Sequence, residues 1–513
     1  MRWRSLGVCL VGTVLVSPDV QAATCESLRT LRLPNATIMF VEPVGAGAFV
    51  RPADAASPPP QTAAFEQLPA FCRVAATLRP SSDSDIRIEV WMPLANWNGK
   101  FQGVGNGGFA GSITYTSGRG GIERGMAEAL ARGYATASTD TGHVGGTAAP
   151  FLGHPETLID YGYRAVHEMT VAAKAMVDAF YGAPPRFSYW NGCSLGGRQG
   201  LMEAQRFPAD YDGIIAGAPA NPQTRLSVWN VHVGKLAARP THAIPASKYP
   251  MIHTAVVNAC DASDGLQDGQ IGDPSACRFD FGALACTEGD SPSCLTPGQI
   301  ETARTVTTPA VHSKTGELIF PGLALGTELG WATKIGGREP SALGTEFLKY
   351  VVYKDANWDW RTFDFESAVV LADRLDQGTV NVSADLRAFR QRGGRLLLYH
   401  GWRDQNFSAE STINYYGSVR STVADPGTDD WMRLFLAPGV GHCGGGEGPN
   451  AFDVVAAMEQ WVEHGKAPSQ VIATRRTDGK VVRTRPLCPY PQVAKYRGTG
   501  NIDDAANFAC VAP

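Results

Sequence analysis

Apolar and polar side chains alternate from Ile86 to Met92. Ile86, Ile88, Val90 and Met92 fall on one side, and Arg87, Glu89 and Trp91 on the other. That period of two predicts a half-buried strand. A Gly-rich turn follows at 103–108, then a helical pattern over 122–131, then the short run 134–139, which predicts a buried strand. The alternation recurs as helix 163–180, strand 187–190, helix 197–206 and strand 213–216, and much later as strands 396–399 and 434–436. The last helix places Val454, Val455, Met458, Trp461 and Val462 on one face and stops at Gly465. Helix alternating with strand in this way predicts a largely parallel sheet covered by helices on both faces, the α/β class.

Between about 221 and 384 the alternation is lost. That segment carries Cys260, Cys277, Cys286 and Cys294, many prolines and glycines and an Asp-rich loop, and reads as an inserted second domain. The chain is therefore expected to divide into 1–22, 23–220, 221–384 and 385–513, the second and fourth pieces building one domain and the third covering it.

The N-terminus adds a location. Arg2 and Arg4 precede an apolar stretch over 6–16 and then Val20-Gln21-Ala22, small residues that suit cleavage after Ala22. This is the pattern of a signal peptide, so the mature chain is expected to be secreted or periplasmic. No later stretch offers roughly 18 uninterrupted apolar residues, so no membrane anchor is expected. Cleavage would remove Cys9, the odd member of eleven cysteines, and an even set in an exported chain points to a disulfide framework. A net charge of -4 with 18% charged residues leaves no basic stripe for a phosphate backbone, which excludes nucleic acid as the expected partner. Oligomeric state is not legible.

Gly192-Cys193-Ser194-Leu195-Gly196 satisfies G-x-S-x-G and lies between a predicted strand and a predicted helix, where a nucleophilic serine on a sharp turn belongs. The alternative is a Gly-rich turn with an ordinary serine. In this placement the Leu195 N–H, at the helix start, is a candidate oxyanion donor. The partners should follow in the order acid, then histidine, each after a later strand. Asp404 follows strand 396–399 and His442 follows strand 434–436. Asp140 is the rival acid, out of order. His400 is the rival base and is read as a supporting or substrate-lining residue. Cys193 precedes Ser194 and Cys443 follows His442, so a triad built from these residues brings two cysteines together, and a bridge between them would tie nucleophile to base. Asp261, Asp264 and Asp268 crowd the loop 260–271, with Asp273 just beyond. Such carboxylates repel one another unless a cation neutralises them. Hard oxygen ligands with turn-forming glycines suit structural calcium, the carbonyls of Leu266 and Gln270 completing the shell. The alternative is a solvated acidic turn.

Taken together, Trp97-Asn98-Gly99-Lys100-Phe101 with Gly105-Asn106-Gly107-Gly108-Phe109, Gly192 to Gly197, the 261–271 loop, Tyr399-His400-Gly401-Trp402-Arg403-Asp404 and Gly441-His442-Cys443 resemble the tannase/feruloyl esterase family. The mono(2-hydroxyethyl) terephthalate hydrolase belongs to the same family. The resemblance spans nearly the whole mature chain. It implies an α/β-hydrolase fold with a large inserted lid domain, a Ser194–His442–Asp404 triad and a calcium-binding lid. It implies pairing of Cys193 with Cys443, Cys25 with Cys72, Cys260 with Cys277, Cys286 with Cys294, and Cys488 with Cys510. The oxyanion hole it implies joins the Leu195 N–H to one near Gly107. The expected substrate is a small ester of a hydroxylated aromatic acid such as a feruloyl, caffeoyl or galloyl ester, the alternative being a terephthalate-type or other aromatic mono-ester; Trp358 and Trp360 read as lid core first and as ring-stacking partners second. The terephthalate-type members carry an acidic residue after the nucleophile where this chain has Leu195. Beyond the aromatic-ester reading stand a general lipase or polyester hydrolase and, from another class, a catalytically silent extracellular binding protein.

Overall fold

The computed structural model describes residues 24–52, 62–117, 122 and 124–512. The expected leader and Cys9 lie outside them. A nine-stranded sheet forms the centre. Its strands are β1 (Ala36–Val44), β2 (Phe71–Leu78), β3 (Ile86–Pro93), β4 (Lys100–Val104), β5 (Ala135–Thr139), β6 (Phe187–Cys193), β7 (Gly213–Gly217), β8 (Arg395–Gly401) and β9 (Met432–Ala437). They lie in the order β1-β2-β3-β5-β4-β6-β7-β8-β9. From β5 to β9 all neighbours are parallel. The expectation of a largely parallel sheet fails at the other edge, where β1, β2, β3 and β5 pair antiparallel. The connection between β2 and β3 spans only 79–85, too short for the crossover that parallel neighbours need. β1 and β2 went unread because their apolar residues do not alternate.

Two apolar layers sandwich the sheet. On one side α1 (Ala165–Tyr181) buries Val166, Met169, Ala173, Met176 and Val177, and α2 (Leu195–Arg206) buries Leu201 and Met202. On the other, a late helix (Val454–His464) buries Val454, Met458 and Trp461 and ends at Gly465 with φ 67°. The alternation in β3 implied an outward polar face, yet only Arg87 is exposed along that strand. Trp91 packs against Phe49 and Phe71 instead. Glu89 accepts hydrogen bonds from Arg73 Nε (2.9 Å) and Nη2 (2.6 Å), Trp91 Nε1 (2.9 Å) and the Tyr115 hydroxyl (2.8 Å). Burying this carboxylate is tolerable because all of its oxygens are met.

Between β7 and β8 the chain leaves the sheet. It forms helices that include α3 (Gln223–Ala237), Tyr249–Cys260, Pro297–Thr307 and Phe365–Asp376, and only a short two-stranded pair, Ala310–Val311 with Leu318–Phe320. Caps fix the ends: Thr296 and Gln299 form a capping box, and Asp364 accepts from the Ser367 N–H. The segment returns beside its point of departure, with Gly217 opposite Tyr399. Arg198, fully buried on α2, fastens it by donating to the Val380 carbonyl at 2.9 Å and the Gly162 carbonyl at 3.2 Å. Bridges join Cys25–Cys72, Cys193–Cys443, Cys260–Cys277, Cys286–Cys294 and Cys488–Cys510, all as expected. A hairpin, Val471–Thr477 with Lys480–Leu487, turns at Asp478 (φ 49°) and Gly479 (φ 76°). Asp-Gly is a strong hairpin signal that the helix–strand reading passed over.

The Arg73–Glu89 pair makes the fold testable. Arg73→Met leaves Glu89 buried without its cation and should cost about 3 kcal/mol, as breaking buried pairs does. In thermal unfolding the double variant Arg73→Met/Glu89→Gln should recover part of the lost melting temperature.

Candidate active site

β6 runs to Cys193 and α2 begins at Leu195, so the chain reverses on Ser194 alone. Its backbone sits at φ 65°, ψ -122°, a region that non-glycine residues avoid and that persists only where surroundings enforce it. Hydrogen bonds hold it there: the Ser194 N–H donates to the Gly217 carbonyl at 2.9 Å, and the Ser194 carbonyl accepts from Ala220 and Arg198 N–H, each at 3.1 Å. Space explains the glycines. A Cβ on Gly192 would overlap the Gly196 carbonyl, and one on Gly105 would overlap the Gly196 Cα. The Gly-rich loop is thereby pressed against the start of α2.

A buried amide clamp locks that loop. Gln199 Oε1 accepts the Asn106 N–H at 3.1 Å, Gln199 Nε2 donates to Asn106 Oδ1 at 3.0 Å, and the Asn106 carbonyl accepts the Gly196 N–H at 2.8 Å. Asn106 Nδ2 donates onward to the Thr139 carbonyl at 2.8 Å. Beside Ser194 opens a cavity of about 40 Å³ whose wall includes Gly108, Phe109, Leu195, Asn230, Lys334 and Phe407. Gly108, one residue beyond the expected Gly107, faces this space. Leu195 is the first residue of α2, where an N–H has no partner within the helix.

His442 and Asp404 meet as their places after β9 and β8 anticipated. His442 Nδ1 lies 2.7 Å from Asp404 Oδ2. Asp404 also receives His400 Nε2 at 3.0 Å and the N–H groups of Asn406 (2.7 Å) and Phe407 (3.1 Å). Burial works against its charge, but the imidazoles of His442 and His400 outweigh burial and hold the carboxyl well below the usual range. His400 is fully buried and spends its other nitrogen on the Thr412 hydroxyl at 2.8 Å. The expectation that it lines the substrate is therefore corrected: both nitrogens are engaged inside the protein, and it stands behind Asp404. The Cys193–Cys443 bridge spans 250 positions and joins the two loops, with Cys443 Sγ 3.7 Å from His442 Nε2. Gln405 Oε1 accepts the His442 N–H at 3.2 Å, and the Phe407 ring stands edge-on to the imidazole, centroids 4.7 Å apart. Among the described residues the Ser194 hydroxyl has no hydrogen-bond partner.

The rival acid lies elsewhere. Asp140 is buried with its Oδ1 accepting the Arg87 and Gly142 N–H groups, and burial pushes it up to about 7. Trp358 stacks on Tyr353 and Trp360 carries the Arg361 guanidinium, and neither faces the cavity. In the acidic loop, Asp261 takes the N–H groups of Asp268 (3.2 Å), Gly269 (3.0 Å) and Gln270 (3.1 Å), while Asp268 pairs with Arg485 and Arg483. Burial, then the neighbouring carboxylates, raise Asp264 above its usual value. Three ligand-type side chains also converge within 4.8 Å at His167, Glu203 and Asp210. There His167 Nδ1 is 2.6 Å from Asp210, and burial, then the adjacent Asp210, pushes the Glu203 carboxyl well above its usual range.

A mostly parallel sheet carrying a strained serine at the end of β6, an acid after β8 and a histidine after β9 defines the α/β-hydrolase fold. Known proteins agree. The tannase and feruloyl esterase family model matches residues 72–511. An uncharacterized esterase of Xanthomonas campestris pv. campestris is 37% identical, over 98% of this chain and 93% of its own. A probable feruloyl esterase B-2 of Aspergillus terreus is 35% identical over 98% of each chain. The crystal structure of feruloyl esterase B from Aspergillus oryzae superposes with a TM-score of 0.87 at 33% identity, covering 95% of this chain and 99% of that one. The chain belongs to the tannase and feruloyl esterase family, and it is a carboxylic ester hydrolase.

Sequence reading missed the Asn106–Gln199 clamp and the cavity residues Asn230, Lys334 and Phe407. Phe407 lies three residues past Asp404 and was within reach; Asn230 and Lys334 come from the segment whose pattern carried no period. The clamp yields a prediction. Gln199→Leu strips two hydrogen bonds from the Gly-rich loop and should lower kcat at least tenfold, since errors of about 1 Å near reacting groups cost on the order of a hundredfold. Steady-state kinetics per titrated site check this against a melting temperature taken on the same sample.

Proposed function

We propose that this chain is an exported serine esterase acting on esters of hydroxylated aromatic acids, with Ser194 as nucleophile, His442 as base and Asp404 as the residue that orients it. The observation that carries this reading is the His442 Nδ1–Asp404 Oδ2 contact at 2.7 Å, in a loop bridged to the strained Ser194 turn through Cys193–Cys443. With Nδ1 committed to Asp404, the ring presents Nε2 as the acceptor for the Ser194 proton. Ser194 Oγ adds to the ester carbonyl as His442 takes its proton. The oxyanion is met by the Leu195 N–H and one N–H of the 107–108 segment. Collapse expels the alcohol, which leaves with the proton from His442. Water, activated by the same nitrogen, then releases the acid and restores the serine. The aromatic acid class is supported by the names of the feruloyl esterase relatives. Export is supported by the five bridges, which persist in oxidising compartments.

Calcium belongs to the same proposal. Burial, then the carboxylates of Asp268 and Asp261, raise the proton affinity of Asp264, while Arg485 acts against this at Asp264 and, with Arg483, at Asp268. These three residues with the Leu266 and Gln270 carbonyls would hold the ion, which supplies positive charge to the loop and takes no part in ester cleavage.

Two experiments test the reading. Ser194→Ala should lower turnover of methyl ferulate and methyl gallate by at least a thousandfold with unchanged melting; retention of a tenth of the activity removes Ser194 from the chemistry. Calcium should raise the melting temperature of chelator-treated protein by mass action. Identical melting with calcium and with chelator, and no metal on elemental analysis, would leave only an acidic turn.

A further inference from the structure

The cavity at Ser194 is walled largely by the apolar side chains of Phe109, Leu195, Leu226, Leu343 and Phe407. Its polar lining includes Ser194, Ser227 and two pairs of larger groups. Gln223 and Tyr161 satisfy each other, Gln223 Nε2 donating to the Tyr161 hydroxyl at 2.8 Å. Lys334 and Asn230 are not paired in this way. Lys334, on the helical turn Ala332–Ile335, is 3% exposed; among the described residues its ammonium makes no hydrogen bond, and its charged neighbour is Asp404. Asn230, on α3 and also 3% exposed, has a buried Oδ1 with no donor. A donor and an acceptor without protein partners, on two buried residues of the same cavity wall, are left for a ligand to satisfy.

We propose that Lys334 and Asn230 together read a phenolic hydroxyl on the ring that enters this cavity, the lysine donating to the phenol oxygen and the Asn230 carbonyl accepting its proton. The proposal rests on the aromatic-ester reading above and adds which residues select the ring. A hydroxyl is the small substituent that gives and takes a hydrogen bond at once. An unsubstituted ring satisfies neither residue, and a methoxy group satisfies only the lysine. A carboxylate brings no proton for Asn230, and it would add a second negative charge near Asp404, the charged neighbour of Lys334. Burial lowers Lys334 to about 8, against the pull of Asp404, so the amine still carries its proton at neutral pH while being easier to pair with a neutral oxygen than a solvated lysine. Sites that hydrogen-bond a substrate hydroxyl reject the analogue lacking it more strongly than apolar pockets reject a change of size.

The test compares kcat/KM for methyl p-coumarate, methyl cinnamate and mono(2-hydroxyethyl) terephthalate in wild type, Lys334→Met and Asn230→Leu, per site titrated with a serine-directed phosphonate. Wild type should favour p-coumarate over cinnamate, and each variant should reduce that ratio at least tenfold. Ratios within twofold of wild type in both variants overturn the proposal. So does a loss confined to the terephthalate ester in Lys334→Met, which would make the lysine a carboxylate reader. If a variant yields no titratable sites, Ser194→Ala protein decides by calorimetry: methyl p-coumarate should bind at least tenfold tighter than methyl cinnamate, and equal affinity overturns the assignment. A wild type that cleaves p-nitrophenyl acetate but no aryl-acid ester defeats the substrate reading and this inference with it. One that cleaves p-coumarate and cinnamate equally defeats the inference alone.

Discussion

A carboxylate without access to water is among the costliest groups a protein can hold, and Asp404 is such a group. It is tolerated because four donors converge on it, and those donors determine what surrounds it. His442 supplies one, which fixes the tautomer and turns Nε2 away from the acid. His400 supplies another and is in turn held by Thr412. The chain from Asp404 to Phe407 supplies two from its backbone, and in folding back to do so it brings the Phe407 ring against the imidazole. The site's geometry thus follows in large part from meeting the needs of one buried charge.

The Ser194 turn depends on a different constraint. Ser194 is held in a disfavoured backbone conformation by contacts that only glycine permits, and the Asn106–Gln199 clamp ties the facing loop to the same helix. Strain on one side and satisfied amides on the other give a turn with little freedom. The Cys193–Cys443 bridge then joins this turn to the loop carrying His442, so the two loops are neighbours through covalent bonds as well as through packing.

Much of this was legible from residues alone. G-x-S-x-G between a strand and a helix, an acid and a histidine each after a later strand, and two cysteines beside serine and histidine mark positions where chain order maps simply onto space. The parallel half of the sheet was legible for the same reason. The antiparallel edge was not, because β2 buries both faces and loses its alternation, and Glu89 and Trp91 in β3 look outward-facing until Arg73 and Phe49 are known to cover them. His400 misled because a histidine near a candidate acid looks like a substrate contact, and only the burial of both nitrogens shows otherwise. Asn230 and Lys334 were beyond reach because their meaning depends on how an aperiodic segment folds back over Ser194.

That segment has one more property. β7 and β8 are adjacent strands, and everything between them departs and returns at nearly one point, with Gly217 facing Tyr399. It contributes Gln223, Leu226, Asn230, Lys334 and Leu343 to the wall of the cavity and no strand to the sheet. The serine, histidine and acid all come from outside it. The segment therefore supplies one part of the cavity wall, while Gly108, Phe109, Leu195 and Phe407 of the sheet domain supply the other. A change in the length or shape of that segment would remodel one part of the wall and leave in place the strands and turns that carry Ser194, Asp404 and His442.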